Sequence, residues 1–105
     1  REALAATARS AVHVVRRPGG GLTGFAITGA GTTLAYLQRL AVDPLWQGRG
    51  IGRSLVRAAA AWARDQGASA LLLNTPAADG AGAYLYRAEG FATVARELAV
   101  LGRLP

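Results

Sequence analysis

Apolar and polar positions alternate along the first part of the chain, which is the pattern of half-buried β-strands. β-Branched and aromatic side chains, which favour strands, are frequent in the same segments. Two glycine-rich breaks, Pro18-Gly19-Gly20-Gly21 and Gly29-Ala30-Gly31, indicate turns between these segments. We therefore expect an antiparallel meander of three strands, over residues 11–16, 22–28 and 33–42. The Ala-rich residues 1–9 before it are good helix formers and indicate the end of a helix.

The period of the apolar positions changes after Gly50, where the spacing of one helical turn predicts an amphipathic helix that ends near Gly67. The continuous apolar run over residues 70–73 is typical of a buried strand. The remaining segments are predicted as a loop, a second helix stopped by Gly90 and a last strand, over residues 75–82, 83–89 and 91–101. The order α-β-β-β-α-β-α-β predicts one α+β (mixed α/β) domain over residues 1–105, on a single sheet.

Composition excludes several classes of chemistry. The chain has no Cys, which excludes disulfides and thiolate metal sites, and its one His makes a metal centre improbable, so no metal is expected. No apolar run approaches the roughly 18 residues of a membrane helix, and no signal peptide is visible. We therefore expect a cytoplasmic protein without a membrane partner. Twelve Arg against six acids give a net charge of +6, which favours anionic ligands such as phosphates or nucleotides.

The most informative segment runs from Leu40 to Arg53, where a strand is followed by a glycine-rich turn and a helix. The first amides of a helix have no internal partners, and the helix dipole adds positive charge there. Glycines let those amides approach a phosphate closely, and Arg49 and Arg53 add charged donors. The segment therefore predicts a phosphate or pyrophosphate site.

Two familiar phosphate motifs do not match this turn. A P-loop needs Lys, which the chain lacks, and the dinucleotide fingerprint would need Gly where Arg53 stands. The remaining pattern, Gln47-x-x-Gly50-x-Gly52, resembles the Q/R-x-x-G-x-G/A turn of the GNAT superfamily of acetyl-CoA-dependent acyltransferases. The alternative is a plain glycine-rich connection into an amphipathic helix.

A second motif near the C-terminus resembles the same family. Residues 85–91 read Leu-Tyr-Arg-Ala-Glu-Gly-Phe, similar to the family's L-Y-x-x-x-G-F signature. The resemblance implies that Tyr86 lies near the CoA sulfur and protonates the departing thiolate, as a phenol with a pKa of about 10 can. The alternative reading of Tyr86 is a core aromatic, which is the role expected for Tyr84.

The resemblance also implies a fold and a cofactor site. The fold would be a mostly antiparallel, twisted sheet flanked by helices, and the bound co-substrate would be acetyl-CoA. The third strand would splay from its neighbour at a bulge, and its main chain would bind the pantetheine arm through Leu40, Ala41 and Val42. An amide near Leu40 or Ala41 would polarise the thioester carbonyl. The pyrophosphate would be bound by the amides of Gln47, Gly48, Arg49, Gly50, Ile51, Gly52 and Arg53.

Asn74, just past the buried strand, is a further candidate for binding the pantetheine or the substrate amine. A turn residue at a strand end is an equal alternative.

Three departures from the family pattern bear on catalysis. The family often has a Glu base near positions 38 and 39, where this chain has Gln38 and Arg39. Deprotonation of the acceptor amine would then use ordered water, a main-chain carbonyl or His13. The simpler interpretation of His13 is a partly exposed residue of a strand. Asp79 stands where the family usually has Asn. Of the family's first strand and two helices, which form one wall of the acceptor site, only the end of one helix, residues 1–9, is expected here.

The leading hypothesis is an N-acetyltransferase that transfers acetyl from acetyl-CoA to a primary amine of an unidentified acceptor. The alternative is a non-catalytic, CoA-binding regulatory module of the same fold. Nucleic-acid binding is not expected, because aromatic residues do not interleave with the scattered arginines. A homodimer, or a missing N-terminal segment, would complete the truncated edge of the sheet.

Overall fold

The computed structural model describes residues 9–74, 81–95 and 100–105. Within these ranges, six strands form one sheet in the order β1-β2-β3-β4-β6-β5. The strands are β1 Arg9–Arg16, β2 Leu22–Ala30, β3 Leu34–Val42, β4 Ala70–Asn74, β5 Ala92–Ala95 and β6 Val100–Arg103. The α-helices are α1 Ile51–Asp65 and α2 Ala81–Ala88, and a short 3-10 helix spans Pro44–Trp46.

The sheet confirms the predicted fold class, a mostly antiparallel α+β arrangement. β1, β2 and β3 form the expected meander, and β6 pairs antiparallel with both β4 and β5. β3 and β4 are parallel neighbours, since α1 carries the chain back across the sheet between them. The helix predicted over residues 1–9 lies outside the described residues except for Arg9, which begins β1.

One strand prediction was wrong. Residues 91–101 were expected to form a single last strand, but the structure has two antiparallel strands, β5 and β6, within this span. The alternation of apolar and polar residues looks the same before and after the chain changes direction. No Gly or Pro within residues 91–101 indicates a turn. The sequence pattern therefore could not show where one strand ends and the next begins.

The core lies between α1 and one face of the sheet. Helix α1 buries the stripe predicted from its periodicity, namely Leu55, Val56, Ala59, Ala60 and Ala63, with Ile51 and Trp62 half-buried at its margins. The sheet contributes buried side chains from β2, β3, β4 and β6: Ala26, Ala30, Ala35, Leu37, Leu71, Leu73 and Leu101. On the opposite face, Val12 of β1 and Tyr36 of β3 are exposed, at 62% and 45%.

A glycine follows the end of each helix by two residues, close to the predicted stops at Gly67 and Gly90. Gly67 and Gly90 have φ values of 84° and 96°, in the left-handed region that glycine adopts without strain. After each, the chain closes onto the last helical carbonyls: Ala68 N donates to Ala63 O at 3.0 Å, and Phe91 N donates to Tyr86 O at 3.0 Å. This is the Schellman pattern, which satisfies carbonyls that would otherwise have no partner.

Gly24 of β2 sets how closely α1 approaches the sheet. A Cβ at this position would lie 2.9 Å from Ile51 Cγ2 and 3.0 Å from the carbonyl oxygen of Ala41. One of these atoms belongs to the backbone of β3, so it cannot rotate away. The absence of a side chain at Gly24 therefore lets the first turn of α1 sit directly on β2.

Gly24→Ala should lower the free energy of unfolding by about 1–3 kcal/mol, because the added methyl group overpacks this contact. Gly31→Ala is the matched control, since a Cβ there would meet nothing nearer than 3.8 Å. Denaturant unfolding of both variants measures the difference. Equal stabilities for the two would show that α1 can shift at no cost.

Candidate functional site

β3 and β4 pair only near their starts, where Leu34, Ala35 and Tyr36 lie opposite Ala70, Leu71 and Leu72. Beyond this point β3 continues to Val42, whereas β4 ends at Asn74 and pairs on its other side with β6. In the described part of the chain, residues 37–42 thus have no strand on their β4 side. We call this opening, between residues 37–42 of β3 and residues 73–74 of β4, the strand gap.

A β-bulge lies where the strand gap begins. Ile27 is paired with Arg39 and Thr28 with Leu37, so Gln38 is an extra residue on β3. The bulge places two successive side chains, Gln38 and Arg39, on the face opposite α1. The Gln38 side-chain amide packs closely against Gly29 of β2, so a Cβ at Gly29 would force the end of this side chain to move. The structure thus contains the splay and the bulge that the resemblance implied.

The chain leaves β3 through a tightly bonded turn. Asp43 N donates to Thr23 O at 2.8 Å, and Asp43 Oδ1 accepts from Leu45 N at 2.9 Å. This side-chain bond caps the short 3-10 helix that follows. Gln47 Nε2 reaches back to Val42 O at 3.5 Å, which is long for a hydrogen bond. The turn therefore directs residues 47–50 across the end of the strand gap.

The glycines of this turn leave space for a ligand beside the helix. Gly48 and Gly50 have φ values of 80° and 82°, and a Cβ on either would meet nothing within 4 Å. The first helical hydrogen bond runs from Ser54 N to Gly50 O at 3.0 Å, and no side chain caps α1. The amides of residues 51–53 therefore have no acceptor among the described residues.

Gly52 brings α2 against this end of α1. A Cβ at Gly52 would lie 3.0 Å from Leu85 Cδ2 and 3.8 Å from Val42 Cγ2. The start of α1, the end of β3 and the middle of α2 thus meet at one point. This contact places Tyr86, the residue after Leu85, on the helix that borders the site.

The two arginines of the motif have different partners. The Arg49 guanidinium stacks over the Trp46 ring at 4.4 Å and stays exposed beside the glycines. Arg53 Nε lies 3.4 Å from Glu89 Oε2, and Arg57 Nε lies 2.8 Å from Glu89 Oε1. The Glu89 side chain is only 6% exposed, so Arg53 is tied to a nearly buried carboxylate. Arg49 is therefore the more available cation beside the turn.

Tyr86 has the environment of a phenol that keeps its proton. Its side chain is half-buried, and this desolvation raises its pKa above the ordinary value of 10.0. Its ring packs edge-on against Phe91, with ring centres 5.6 Å apart. Tyr86 is thus a fixed, protonated hydroxyl at neutral pH.

Two other candidates lie differently. Asn74 is exposed at the end of β4, at the border of the strand gap. His13 pairs with Ala26, which pairs with Leu40, so it lies two strand spacings, roughly 10 Å, from β3. Its Nδ1 is buried without a hydrogen-bond partner. This placement disfavours His13 as a base at the strand gap.

A comparison with protein families decides the relationship. The model of the acetyltransferase (GNAT) domain matches residues 8–93, which includes the glycine turn, the strand gap and Tyr86. This chain belongs to the GNAT acetyltransferase family. The resemblance seen in the two sequence motifs is thereby confirmed.

One characterised relative of this GNAT chain is the aminoglycoside N(6′)-acetyltransferase type 1 of Stenotrophomonas maltophilia. It is 38% identical over 58 residues, which cover 55% of this chain and 38% of that protein. Among solved structures, nourseothricin acetyltransferase is similar with a TM-score of 0.76 at 24% identity, over 89% of this chain and 62% of that one. The chain thus spans less than two thirds of the length of these two relatives.

A second similar structure was solved with coenzyme A bound. The PaiA N-acetyltransferase of Thermoplasma acidophilum, in complex with coenzyme A, superimposes with a TM-score of 0.80. It is 18% identical over 91% of this chain and 61% of that one, so the likeness shows the fold alone.

The described residues hold no cluster of His, Asp or Glu side chains arranged for a metal ion. None of the helices in the described ranges has both the length and the apolar character needed to cross a membrane.

Two features of the site had no signal in the local sequence. The first is the position of the bulge, which turns Gln38 and Arg39 to one face and depends on pairing with β2. The burial of Glu89 between arginines of α1 joins residues 32 positions apart. Asp79, which stands where the family usually has Asn, lies outside the described residues.

The pKa of Tyr86 yields a test of its environment. In a pH titration followed by tyrosinate absorbance, one component should have a midpoint above the ordinary pKa of 10.0. This late component should be missing in Tyr86→Phe. Because the folded pKa is the higher one, this group stabilises the fold below about pH 10 and loses that effect as pH rises through the folded pKa. Tyr86→Phe should therefore be less sensitive to alkaline unfolding than the wild type. Tyr36→Phe, which removes an exposed phenol, is the matched control and should keep the late transition.

Proposed function

We propose that this chain forms the acetyl-CoA-binding and catalytic part of an N-acetyltransferase that acetylates a primary amine. The observation that carries the proposal is a strand gap ending at an uncapped, glycine-lined helix N-terminus. The N-terminus of α1 offers free amides for a pyrophosphate. The strand gap offers free main-chain groups for the extended pantetheine arm. The relatives named above are acetyltransferases, and one of them was solved with coenzyme A.

The residues present fit such a co-substrate. The amides over residues 47–53, with Gly48 and Gly50 leaving open space, would bind the pyrophosphate, and Arg49 would add charge. Main-chain groups of Leu40, Ala41 and Val42 would bind the pantetheine arm, and Asn74 borders its path. When bound, acetyl-CoA supplies the acetyl group as a thioester.

The chemistry assigns one proton to Tyr86. A C–N bond forms and the C–S bond breaks, so one proton must leave the amine and one must reach the sulfur. Tyr86, protonated at neutral pH, donates the proton that reaches the sulfur. Neither Gln38 nor Arg39 can accept the proton that leaves the amine at neutral pH. We assign the deprotonation of the amine to ordered water or a main-chain carbonyl at the strand gap.

Gly50→Glu should weaken acetyl-CoA and desulfo-CoA binding by roughly 100-fold or more. The new carboxylate would repel the pyrophosphate and strain a residue with φ of 82°. Gly67→Glu is the matched control, with φ of 84°, the same open surroundings and a position at the other end of α1. Isothermal titration should find wild-type affinity for the control. Equal losses in both variants would place the pyrophosphate elsewhere.

Tyr86→Phe should lower kcat by about 10²–10⁴-fold while leaving the Kd for acetyl-CoA within about twofold. The reason is that only the proton donor is removed, whereas the ring and its packing on Phe91 remain. Thiol release with an amine panel measures kcat, and titration measures Kd. An unchanged kcat would assign the proton to another group.

A non-catalytic CoA-binding module is the second candidate. It is favoured by Gln38 and Arg39 on the face of β3 beside the strand gap, where neither can act as a base. This module would bind acetyl-CoA and lose binding in Gly50→Glu, but would release no thiol with any amine. The two candidates are therefore separated by turnover and not by binding.

The other expectations from the sequence stay predictions. They are a single domain over residues 1–105, a cytoplasmic location and the absence of nucleic-acid partners.

A further inference from the structure

Arg39 lies beside the strand gap on the open face of the sheet. The bulge at Gln38 turns it to that face, next to Ile27 on β2. Its side chain is exposed and has no hydrogen-bond or ion-pair partner within residues 9–74, 81–95 and 100–105. The opposite face of the gap is bordered by α1 and α2, which meet at Gly52 and Leu85. An acceptor amine would therefore approach the gap from the side of Arg39.

No described carboxylate balances this charge. Asp43 accepts from the Leu45 amide in the turn beyond β3, Asp65 ends α1, and Glu89 pairs with Arg53 and Arg57. The neighbouring side chains on the Arg39 face are neutral: Phe25, Ile27, Tyr36, Gln38 and Ala41. The approach thus combines an uncharged surface with the Arg39 guanidinium, which has no partner among the described residues.

We infer that Arg39 selects acceptor amines that also carry a carboxylate, and disfavours polycationic acceptors. This rests on the proposed function and names the substrate class of the same site. A guanidinium binds a carboxylate through two parallel hydrogen bonds, whereas a second ammonium on the acceptor is repelled. Aminoglycosides are polycations. The inference therefore assigns this chain a different class of acceptor from the one named for the aminoglycoside N(6′)-acetyltransferase.

Three amines of matched shape test the inference with acetyl-CoA as donor. They are 4-(aminomethyl)benzoate, 4-(aminomethyl)benzamide and 1,4-bis(aminomethyl)benzene, which differ only in the charge opposite the amine. We expect kcat/KM to fall in that order, with the benzoate favoured by roughly tenfold over the amide. Binding of the same amines to protein loaded with desulfo-CoA should give the same order. High salt should reduce the difference.

The variants Arg39→Gln and Arg39→Glu test the assigned residue. The first should reduce the preference for the benzoate to about twofold or less, and the second should reverse the order. Arg64→Gln is the matched control, because it removes the same charge from an exposed position near the end of α1 and should leave the ratios unchanged. Thermal unfolding confirms that the variants stay folded.

The outcomes separate this inference from the proposed function. If the wild type does not bind acetyl-CoA, the proposed function fails and the inference falls with it. If acetyl-CoA binds but the diamine is preferred, or Arg39→Gln keeps the preference for the benzoate, the inference alone is overturned. If no amine releases thiol, the binding order in the loaded protein decides, and equal affinities overturn the inference.

Discussion

The close seating of α1 on the sheet is the constraint on which the site depends. Gly24 lets the first turn of the helix rest on β2, and Gly52 lets α2 reach the same point. Because α1 follows β3 after a short turn, its free amides lie at the end of the strand gap. A shift of the helix by one side-chain layer would move the amides away from the main chain of β3.

Helix α2 is held to α1 by charge as well as by packing. Glu89 follows the end of α2 and is almost buried, and the guanidinium groups of Arg53 and Arg57 contact it. The Schellman turn at Gly90 then places Phe91 against the ring of Tyr86. These contacts fix the phenol relative to the glycine turn. A nearly buried carboxylate without its arginines would be costly, so the pair keeps the two helices in one arrangement.

The family relationship accounts for the donor side of the site more fully than for the acceptor side. The glycine turn, the splayed strands and Tyr86 suit a CoA thioester, and their geometry comes from backbone pairing. The face from which an amine would approach is defined by side chains, chiefly Arg39, which lies in the part of the strand where the family often has a Glu. Members of one family can therefore share a donor and differ in acceptor, because different atoms recognise each.

The sequence by itself determined the features that depend on neighbouring residues. The glycine turn, the buried stripe of α1 and the helix ends at Gly67 and Gly90 follow from local sterics and periodicity, and all were predicted. Tertiary structure alone decided the split of residues 91–101 into two strands, the position of the bulge at Gln38 and the burial of Glu89. The split and the bulge depend on how each strand pairs with its neighbours, and the burial of Glu89 depends on contact with α1, 32 residues away. A local pattern carries no information about the partner strand or its register.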